Sequence, residues 1–376
     1  MPRITHVVST PSGIGGAERI VATLVARGAA LGWHQDVLNP FAIDPTNAEI
    51  ADICRPAAYA GFRCARMQEV VAARRWLRSE LDARAPGIVH VHLFHAEVLT
   101  ASVQRPAGAR LVLTHHHAGH LHALGRRRDE ALDFLAVRRF DRIVAISEWV
   151  RRFLRERYRC PDDRIASIPN GWEGRPDTAP RRAIQPTIVC VANFRPEKSH
   201  ETLIRAFARV TRELPDARLV LVGSGSLERK VRTAVELAGL SQNVDFAGSA
   251  TSVWPYLGRA HVFALPSRQE ALGIAVMEAM AAGLPVVASA VGGLPELVTP
   301  AVTGALVTPG DDAAMAAELV RLLKDPDLRA RMGAAGRQAV ASRTAEAMVD
   351  RYYELYEQLL RERRLQLGQC GSAVRS

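Results

Sequence analysis

The stretch Ser267-Arg-Gln-Glu-Ala-Leu-Gly-Ile-Ala-Val-Met-Glu278 stands between two apolar runs, Val262–Leu265 and Val286–Ala288. Apolar runs of this length, flanked by Gly and Pro, are typical of buried strands in parallel sheets. The predicted order is therefore a strand, Glu270, a turn at Gly273, a helix with a second carboxylate, and another strand. A strand followed by a helix and a parallel strand is the repeating unit of an α/β fold.

The same alternation of strand and helix patterns continues along the whole chain, and twelve runs are predicted as strands. They are Ile4–Val8, Gln35–Leu38, Ile88–His92, Leu111–Thr114, Arg142–Ile146, Ile165–Ile168, Thr187–Val191, Arg218–Val222, Val244–Ala247, Val262–Leu265, Val286–Ala288 and Ala305–Val307. We therefore predict the α/β class, with two doubly wound, Rossmann-like domains that face each other across a cleft.

Three segments are expected to divide the chain. Residues 1–175 form an N-terminal domain and residues 176–345 form a C-terminal domain, since each is of ordinary domain size. Residues 346–376 form a helix that packs back toward the first domain and ends in a mobile tail. Turn-forming residues are concentrated in 171–186, which is the predicted linker. Ligands of doubly wound sheets bind beyond the carboxyl ends of the strands, so the site is expected in the cleft.

The composition of the chain bears on its cellular location and on the surfaces it could contact. No apolar run approaches 18 residues, so no membrane-spanning helix is predicted. The first residues read as a strand and not as a secretion signal, and the five scattered cysteines suit reduced thiols, so we expect a cytoplasmic protein. Most of the net charge of +10 lies in residues 1–175, where arginines cluster between 126 and 159. Such a surface suits an anionic membrane or a polyanion, and a solvated helix face explains it equally well.

Glu270 and Glu278 lie eight residues apart, a rise of about 12 Å if the segment between them is helical. A helix that starts near Gly273 would direct the free N–H groups of its first turn toward an anion. This combination suits a nucleoside-diphosphate sugar, with one carboxylate on the transferred sugar, the other on the ribose, and the diphosphate at the helix start.

Lysine is rare in this chain, which contains 46 arginines but only Lys198, Lys230 and Lys324. Lys198 follows a predicted strand, on a loop that also carries Arg195. A compact ammonium suits a phosphate and a guanidinium offers a planar fork, so the two residues are candidate ligands of a diphosphate. Two solvated surface charges are the alternative.

Two glycine turns follow predicted strands. The turn Thr10–Glu18 contains Gly15 and Gly16, and the turn Leu221–Ser226 contains Gly223. Such turns let the backbone approach a ligand closely, although an ordinary connection between strand and helix is the alternative. The first turn lacks the G-x-G-x-x-G spacing, which disfavours a nicotinamide dinucleotide.

Eight of the twelve histidines fall between positions 90 and 122. No acidic residue or cysteine lies among 115–122 and no H-E-x-x-H pattern occurs, so no metal site is expected. His90 and His92 share one face of a strand, which core packing explains. One of the three consecutive histidines at 115–117, after the strand Leu111–Thr114, is expected to reach the site and bind a sugar.

These segments, in this order, resemble the GT-B-fold retaining glycosyltransferases of family 4 over nearly the whole chain. The family signature is Glu-x7-Glu followed by Ala-x-Gly-x-Pro-Val-Val, which corresponds here to Glu270, Glu278 and Ala282–Val287. The family usually has Glu-Gly-Phe-Gly where this chain has Glu270-Ala-Leu-Gly273, so alanine replaces the first glycine.

The resemblance implies a nucleotide-sugar donor as substrate and no metal or other cofactor. Four residues would be catalytic: Glu270 at the transferred sugar, Arg195 and Lys198 on the diphosphate, and His116, with His115 and His117 as close seconds. The donor would also contact Gly15, Gly16, Gly223, Gly273, Ile274, Ala275, Asn170 and Glu278, the last of these on the ribose hydroxyls. Ser147 would match a further position of the family's site.

The resemblance also implies transfer with retention at the anomeric carbon to a glycan or lipid-linked acceptor, in cell-surface polysaccharide or glycolipid synthesis. Residues 1–175 would be the acceptor-side domain. A nucleotide-sugar epimerase or phosphorylase on the same scaffold and a non-catalytic nucleotide-sugar or polyanion-binding protein are the alternatives. No nucleic acid is expected as a partner, because no basic, aromatic-rich module of a recognised type occurs.

A further hypothesis concerns Arg151–Arg159, which contains Phe153, Leu154 and Tyr158. Its arginines and apolar side chains would attach the protein peripherally to the inner, anionic face of the plasma membrane. The sequence leaves the base, the sugar, the acceptor and the oligomeric state open.

Overall fold

The computed structural model describes residues 3–9, 16–42, 52–64, 66–116, 126–174 and 182–373, with the side chains at 67, 126–128 and 367–373 excepted. The chain divides into two compact units. The first unit contains residues 1–170 and 345–376, and the second contains residues 171–344. The change of unit therefore falls between Asn170 and Gly171, five residues before the predicted boundary and at the first residue of the predicted linker.

A seven-stranded parallel sheet forms the centre of the first unit, in the order β3-β2-β1-β4-β5-β6-β7. Its strands are β1 Arg3–Val8, β2 His34–Ala42, β3 Ala58–Arg63, β4 Ile88–His92, β5 Arg110–His115, β6 Arg142–Ala145 and β7 Ile165–Ser167. The sequence prediction omitted β3. This strand lies at the sheet edge and is only partly buried, and its sequence Ala-Tyr-Ala-Gly-Phe-Arg has no β-branched residue.

Among the described residues, the helices between these strands include α1 Gly16–Ala30, α2 Val70–Arg84, α3 Phe94–Ser102, α4 Arg126–Val137 and α5 Glu148–Tyr158. Helix α5 shows how local sequence sets a boundary. The Ser147 side chain accepts a hydrogen bond from Val150 N at 3.1 Å, which satisfies one free N–H group of the first turn. The helix ends at Arg159, whose backbone is left-handed.

The second unit has a six-stranded parallel sheet in the order β10-β9-β8-β11-β12-β13. Its strands are β8 Thr187–Val191, β9 Arg218–Val222, β10 Val244–Gly248, β11 Val262–Leu265, β12 Val286–Ser289 and β13 Gly304–Val307. Its helices are α6 His200–Glu213, α7 Glu228–Leu237, α8 Trp254–Arg259, α9 Ile274–Ala281, α10 Asp312–Lys324 and α11 Pro326–Val340. Phe207 and Phe263 are fully buried among these elements. The predicted class of two doubly wound α/β units is confirmed.

The last helix, α12 Ala345–Ala373, belongs to the first unit. Its tyrosines Tyr352, Tyr353 and Tyr356 are almost fully buried. Tyr352 OH lies 3.0 Å from Thr114 Oγ1 on β5, and Tyr353 OH donates to Leu24 O of α1 at 2.9 Å. Helix α12 therefore covers the sheet of the first unit, and residues 1–170 alone lack this part of their core.

The predicted linker is partly described, since residues 175–181 lie outside the described ranges. Trp172 N donates to Arg343 O at 3.0 Å, and the indole of Trp172 donates to Val340 O at 2.9 Å. The second unit therefore begins and ends at neighbouring points.

None of the described helices is both long enough and apolar enough to span a bilayer.

Candidate active site

The candidate site lies at the carboxyl edge of the sheet in the second unit. Strands β8 and β11 are direct neighbours, but the chain leaves β8 toward β9 on one side and returns to β11 on the other. At such a reversal of strand order the two following loops separate, and ligands of doubly wound sheets bind there. The loop after β8 carries Arg195 and Lys198, and the loop after β11 carries Glu270.

Lys198 and Glu270 form an ion pair that joins these two loops. Lys198 Nζ lies 2.5 Å from Glu270 Oε2, and Ser267 Oγ donates to the same carboxylate oxygen over 3.4 Å. The two paired side chains are 22% and 14% exposed, so a ligand can still reach them. An ammonium also binds phosphate oxygens well, so a diphosphate can compete with Glu270 for Lys198.

Backbone contacts hold the Lys198 loop in place. Arg268 N donates to Glu197 O at 2.7 Å, and Lys198 N donates to Arg195 O at 3.0 Å. Arg195 therefore lies in the same turn as Lys198, and its side chain is exposed. Gly223, after β9, packs on this loop from the other side, because an added Cβ would lie 2.3 Å from Ala192 O. In this structure Gly223 shapes the Lys198 loop, while a contact with a nucleotide stays a prediction.

Helix α9 begins directly after the Glu270 turn. Gly273 precedes it in a left-handed conformation, with φ of 101°, and no side chain caps the helix start. Ile274 and Ala275 form the first turn, are half-buried, and present backbone N–H groups that an α-helix leaves without an internal partner. The helix start is therefore suited to an anion beside the ammonium of Lys198.

The two carboxylates do not share one helix, so the expected rise of about 12 Å along a helix is wrong. Glu270 lies in the non-helical turn before Gly273, and only Glu278 is on α9, where it is 7% exposed. The reason is the left-handed backbone of Gly273, which an α-helix cannot include. Glu270 is therefore held by its turn and by Lys198, and Glu278 by the packing of α9.

A glycine pair that the sequence prediction treated as a rim loop supports the Glu270 turn. Gly293 N donates to Glu270 O at 3.2 Å, in the loop that follows β12. Gly292 has φ of 55°, and a Cβ there would lie 1.6 Å from Glu270 O. The two backbones therefore touch directly, which no other residue type permits. The signal was present in the sequence as Val291-Gly-Gly-Leu-Pro directly after a strand.

Several predicted site residues lie in the first unit. Gly15 and His117 are outside the described residues, and Gly16 is the exposed first residue of α1. Asn170 is 4% exposed, and its Oδ1 has no hydrogen-bond partner among the described residues. Ser147, by contrast, caps α5, so its hydroxyl has a structural role.

The strand-end histidines differ sharply in their surroundings. His115 is the last residue of β5 and is 1% exposed, and its Nε2 lies 3.5 Å from Asp133 Oδ2. His116 follows it, is half-buried, and has its Nε2 3.2 Å from His92 Nδ1. Burial lowers the pKa of His116 to about 3, so its imidazole is neutral near pH 7. Of the two described candidates, His116 is the less buried.

Two clusters among the described residues have donor spacings that a metal could use, namely His6 with His90 and His92, and Glu97 with His115 and Asp133. The sequence argument against a metal considered only neighbours in sequence, and it missed Glu97 and Asp133, which α3 and α4 bring to His115. Burial, with Asp133 as a second cause, raises the pKa of Glu97 well above its ordinary value. A shared proton therefore satisfies this acidic pair.

In the predicted membrane-docking segment Arg151–Arg159, two of the three apolar side chains are buried, and binding to a membrane stays a prediction. Arg151 pairs with Asp162 at 3.0 Å, and Arg157 pairs with Glu130 at 2.5 Å. Leu154 and Tyr158 are buried, because the apolar stripe of α5 faces the sheet. Among the described residues of this helix, exposed arginines and the half-buried Phe153 remain for a membrane surface.

Comparison with known proteins gives a consistent result. Residues 14–173 match the family described as Glycosyltransferase Family 4, and residues 178–339 match Glycosyl transferases group 1. The chain is 42% identical over 164 residues to a GDP-mannose-dependent monoacylated alpha-(1-6)-phosphatidylinositol monomannoside mannosyltransferase of Corynebacterium glutamicum. This alignment covers 41% of the chain and 42% of the relative, so less than half of that protein is matched.

A longer alignment joins the chain to a GDP-mannose-dependent alpha-(1-6)-phosphatidylinositol monomannoside mannosyltransferase of Mycobacterium tuberculosis (strain ATCC 25618 / H37Rv). The two are 33% identical over 269 residues, which cover 65% of this chain and 68% of the relative. Among solved structures, sucrose-phosphate synthase from Thermosynechococcus elongatus superposes with a TM-score of 0.83 at 23% identity, over 96% of this chain and 100% of that one. At this identity the superposition shows the fold alone.

Proposed function

Because the chain belongs to the group 1 glycosyltransferases and has their GT-B fold of two Rossmann-like units, we propose that it transfers a sugar from a nucleoside-diphosphate sugar to a hydroxyl group, with retention at the anomeric carbon. The observation that carries the proposal is the ion pair between Lys198 and Glu270, beside the start of α9. It combines a cation for a diphosphate with a carboxylate for sugar hydroxyls.

The chemistry follows from the charge that develops during transfer. Cleavage of the bond between the anomeric carbon and the diphosphate leaves negative charge on a phosphate oxygen. Lys198, Arg195 and the first N–H groups of α9 supply fixed positive charge for that oxygen. In this proposal Lys198 moves from Glu270 to the diphosphate when the donor binds, and Glu270 then accepts hydrogen bonds from the sugar.

Retention is proposed to occur by attack on the face from which the diphosphate leaves. The departing phosphate oxygen takes the proton of the acceptor hydroxyl, so no covalent sugar–enzyme intermediate is needed. Glu270 stabilises positive charge on the sugar in this scheme, and Glu278 holds the ribose hydroxyls of the donor. In this proposal no metal is required, because Arg195, Lys198 and the start of α9 would supply the positive charge for the phosphates.

GDP-mannose is the first donor to test, because two of the relatives compared above are described as GDP-mannose-dependent. Both relatives are described as phosphatidylinositol monomannoside mannosyltransferases, so we propose a lipid-linked acceptor in glycolipid synthesis. The exposed arginines of α5 would then favour an anionic bilayer. Flotation with vesicles of neutral lipid and of neutral lipid mixed with phosphatidylinositol measures this; equal recovery from both would exclude the membrane part of the proposal.

The decisive experiment combines binding and turnover. Thermal shift with GDP-mannose, UDP-glucose and UDP-N-acetylglucosamine identifies the donor, since a ligand at 100 times its Kd stabilises by about 2.7 kcal/mol. Product formation with and without an added acceptor then separates a transferase from an epimerase, which changes the donor alone. Binding without any turnover would favour a sensor, and the absence of any shift would refute the proposal. The anomeric configuration of the product, read by NMR, tests retention.

A further inference from the structure

We propose that Gln35, His6 and His92 form a hydrogen-bond relay that fixes the tautomer of His116. In this tautomer Nε2 carries the proton, and Nδ1 accepts a hydrogen bond from a hydroxyl of the bound sugar. The contact with the sugar rests on the proposed function, whereas the relay and the tautomer do not. The relay crosses four neighbouring strands, from β2 through β1 and β4 to the end of β5.

Gln35, which is 8% exposed, determines which nitrogen donates in each hydrogen bond of the relay. Gln35 Nε2 lies 2.8 Å from Val25 O, and a carbonyl oxygen only accepts, so the amide nitrogen must face Val25. The amide oxygen of Gln35 therefore faces His6 Nε2, at 3.2 Å. An amide oxygen has no proton to donate, so His6 Nε2 must carry the hydrogen of this bond. Tyr353 OH lies 3.0 Å from the same oxygen, and its single proton is shared between this oxygen and Leu24 O.

The donor and acceptor roles of each following imidazole are then determined in turn. A neutral imidazole has one N–H, so His6 Nδ1 is an acceptor once Nε2 is the donor. His6 Nδ1 lies 3.4 Å from His92 Nε2, so His92 Nε2 must donate, and His92 Nδ1 is an acceptor. His92 Nδ1 lies 3.2 Å from His116 Nε2, so His116 donates through Nε2. Nδ1 of His116 is left without a proton.

This reasoning requires that all three rings are neutral, and their burial provides for this. Burial lowers the pKa of His6 to about 4 and that of His116 to about 3, and it lowers the pKa of His92 well below its ordinary range. His90 packs against His6 and His92 but bonds elsewhere, with Nε2 2.7 Å from Thr114 Oγ1 and Nδ1 2.6 Å from Tyr356 OH. His90 therefore does not interrupt the relay.

The same rings have the spacing of a metal site, and the relay explains why we do not assign one. Both nitrogens of His6 and both of His92 already have a protein partner. No carboxylate belongs to this cluster of imidazoles, so a divalent ion would enter a buried site without a compensating anion. A zinc titration distinguishes the two assignments.

The tautomer decides what His116 can bind. A sugar hydroxyl can donate or accept, but a ring nitrogen without a proton can only accept. The relay therefore selects the arrangement in which the sugar donates and its oxygen keeps its lone pairs. Gln35, His6 and His92 are positioning residues in this scheme, because they act through His116.

The first test reads the tautomer directly in the full-length protein. Histidine labelled with 15N and 13C is incorporated, and His116 is assigned by the loss of its signals in His116→Asn. At pH 7 we expect an unprotonated Nδ1 and a protonated Nε2 for His116, and the same for His6 and His92. A protonated Nδ1 on His116 would overturn the proposal, whatever the activity of the protein. One equivalent of Zn²⁺ should leave the His6 and His92 signals unchanged, and loss of both would replace the relay with a metal site.

The second test replaces Gln35, the residue of the relay that is farthest from His116. Gln35→Leu removes the oxygen that orients His6, so His116 should show both tautomers. Gln35→Glu, kept protonated by its burial, retains an oxygen that accepts from His6 and an O–H group that donates to Val25 O, and should keep one tautomer. Thr114→Val is the matched control, because it removes a buried bond to His90 and should leave the His116 tautomer unchanged. A single unaltered tautomer in Gln35→Leu would refute the relay. If Gln35→Leu does not fold, the spectra of the wild type and of Gln35→Glu still test whether the relay fixes the His116 tautomer.

Turnover provides a further test, because the KM for the donor should not change if Gln35 has only a structural role. We expect Gln35→Leu to raise the KM for the donor about fivefold, the effect of one neutral hydrogen bond, and Gln35→Glu to restore it. An unchanged KM together with a mixed tautomer would remove the sugar contact and leave the relay. If neither the wild type nor any variant turns over a donor, the proposed function fails. The NMR spectra still test the relay and the His116 tautomer, because they do not depend on turnover.

Discussion

Replacement of Lys198 by methionine is the sharpest perturbation of the candidate site, because it removes the ammonium and keeps the apolar stem. Lys198 Nζ lies 2.5 Å from Glu270 Oε2. At an effective dielectric constant of about 20, charges at this distance attract by roughly 6–7 kcal/mol before desolvation is counted. Desolvation offsets most of this, so we expect a loss of about 1.5–3 kcal/mol in the free energy of unfolding, the range of hydrogen bonds to charged groups.

The effect on transfer should be larger and of a different kind. Loss of one preorganised group that stabilises developing charge costs about 2.7–4 kcal/mol of barrier, so turnover should fall by about a hundredfold or more. Glu270→Gln should also lower turnover by about a hundredfold or more on the same scale, since the charge near the sugar is lost. The two variants must differ in how they bind the free nucleoside diphosphate, however, because Glu270 competes for Lys198 in the unliganded protein.

Isothermal titration with the nucleoside diphosphate separates these effects. Lys198→Met should weaken binding, whereas Glu270→Gln should leave it equal or tighten it, because Lys198 is released from its partner. Lys324→Met is the matched control: Lys324 pairs with Glu213 at 2.5 Å on the surface, with both side chains about half exposed, and should affect neither binding nor turnover. Near-normal turnover in Lys198→Met, with the fold intact, would refute the assignment of this pair.

Three further predictions test other parts of the structure. Gly292→Ala places a Cβ 1.6 Å from Glu270 O, so it should abolish turnover, whereas Gly310→Ala, with a left-handed φ but open space, should lose only some stability; equal activity of both variants would contradict the backbone contact. The unfolded chain protonates His6 below about pH 6.5 but the folded chain only near pH 4, so stability should fall by on the order of 3 kcal/mol as the pH drops through this window. Urea denaturation at several pH values measures this, and an unchanged slope in His6→Gln would exclude His6 as the cause. Glu278→Gln should weaken nucleoside-diphosphate binding by about tenfold, the worth of one charged hydrogen bond, and should have no effect on a 2′,3′-dideoxy nucleotide if Glu278 binds the ribose.

Much of the fold could be predicted from the sequence, because buried parallel strands leave short, apolar, β-branched runs such as Val286–Ala288. The edge strand β3 was missed, since it is only partly buried and its residues carry no such pattern. The position of Lys198 near Glu270 was also within reach, because both follow strands of one sheet. What sequence could not supply was that these strands are neighbours at the point of reversal.

Contacts between distant segments account for the parts of the site that were missed. The relay joins Gln35, His6, His92 and His116, which are spread over 111 positions and meet only through the order of the strands. His115 was a close second to His116 in sequence, yet the alternation of side chains along a strand sends its imidazole into the core toward Asp133. The identities of neighbouring residues do not reveal such a difference without the fold.

The bond from Trp172 N to Arg343 O has a consequence for how the protein is made. The second unit is an insertion whose two ends meet, between β7 and α12 of the first unit. During synthesis the second unit is complete once Thr344 emerges, whereas the first unit must wait for the tyrosines of α12. The part of the chain that is synthesised first therefore finishes folding last, and truncation of the final thirty residues damages the N-terminal sheet and not the unit that directly precedes the cut.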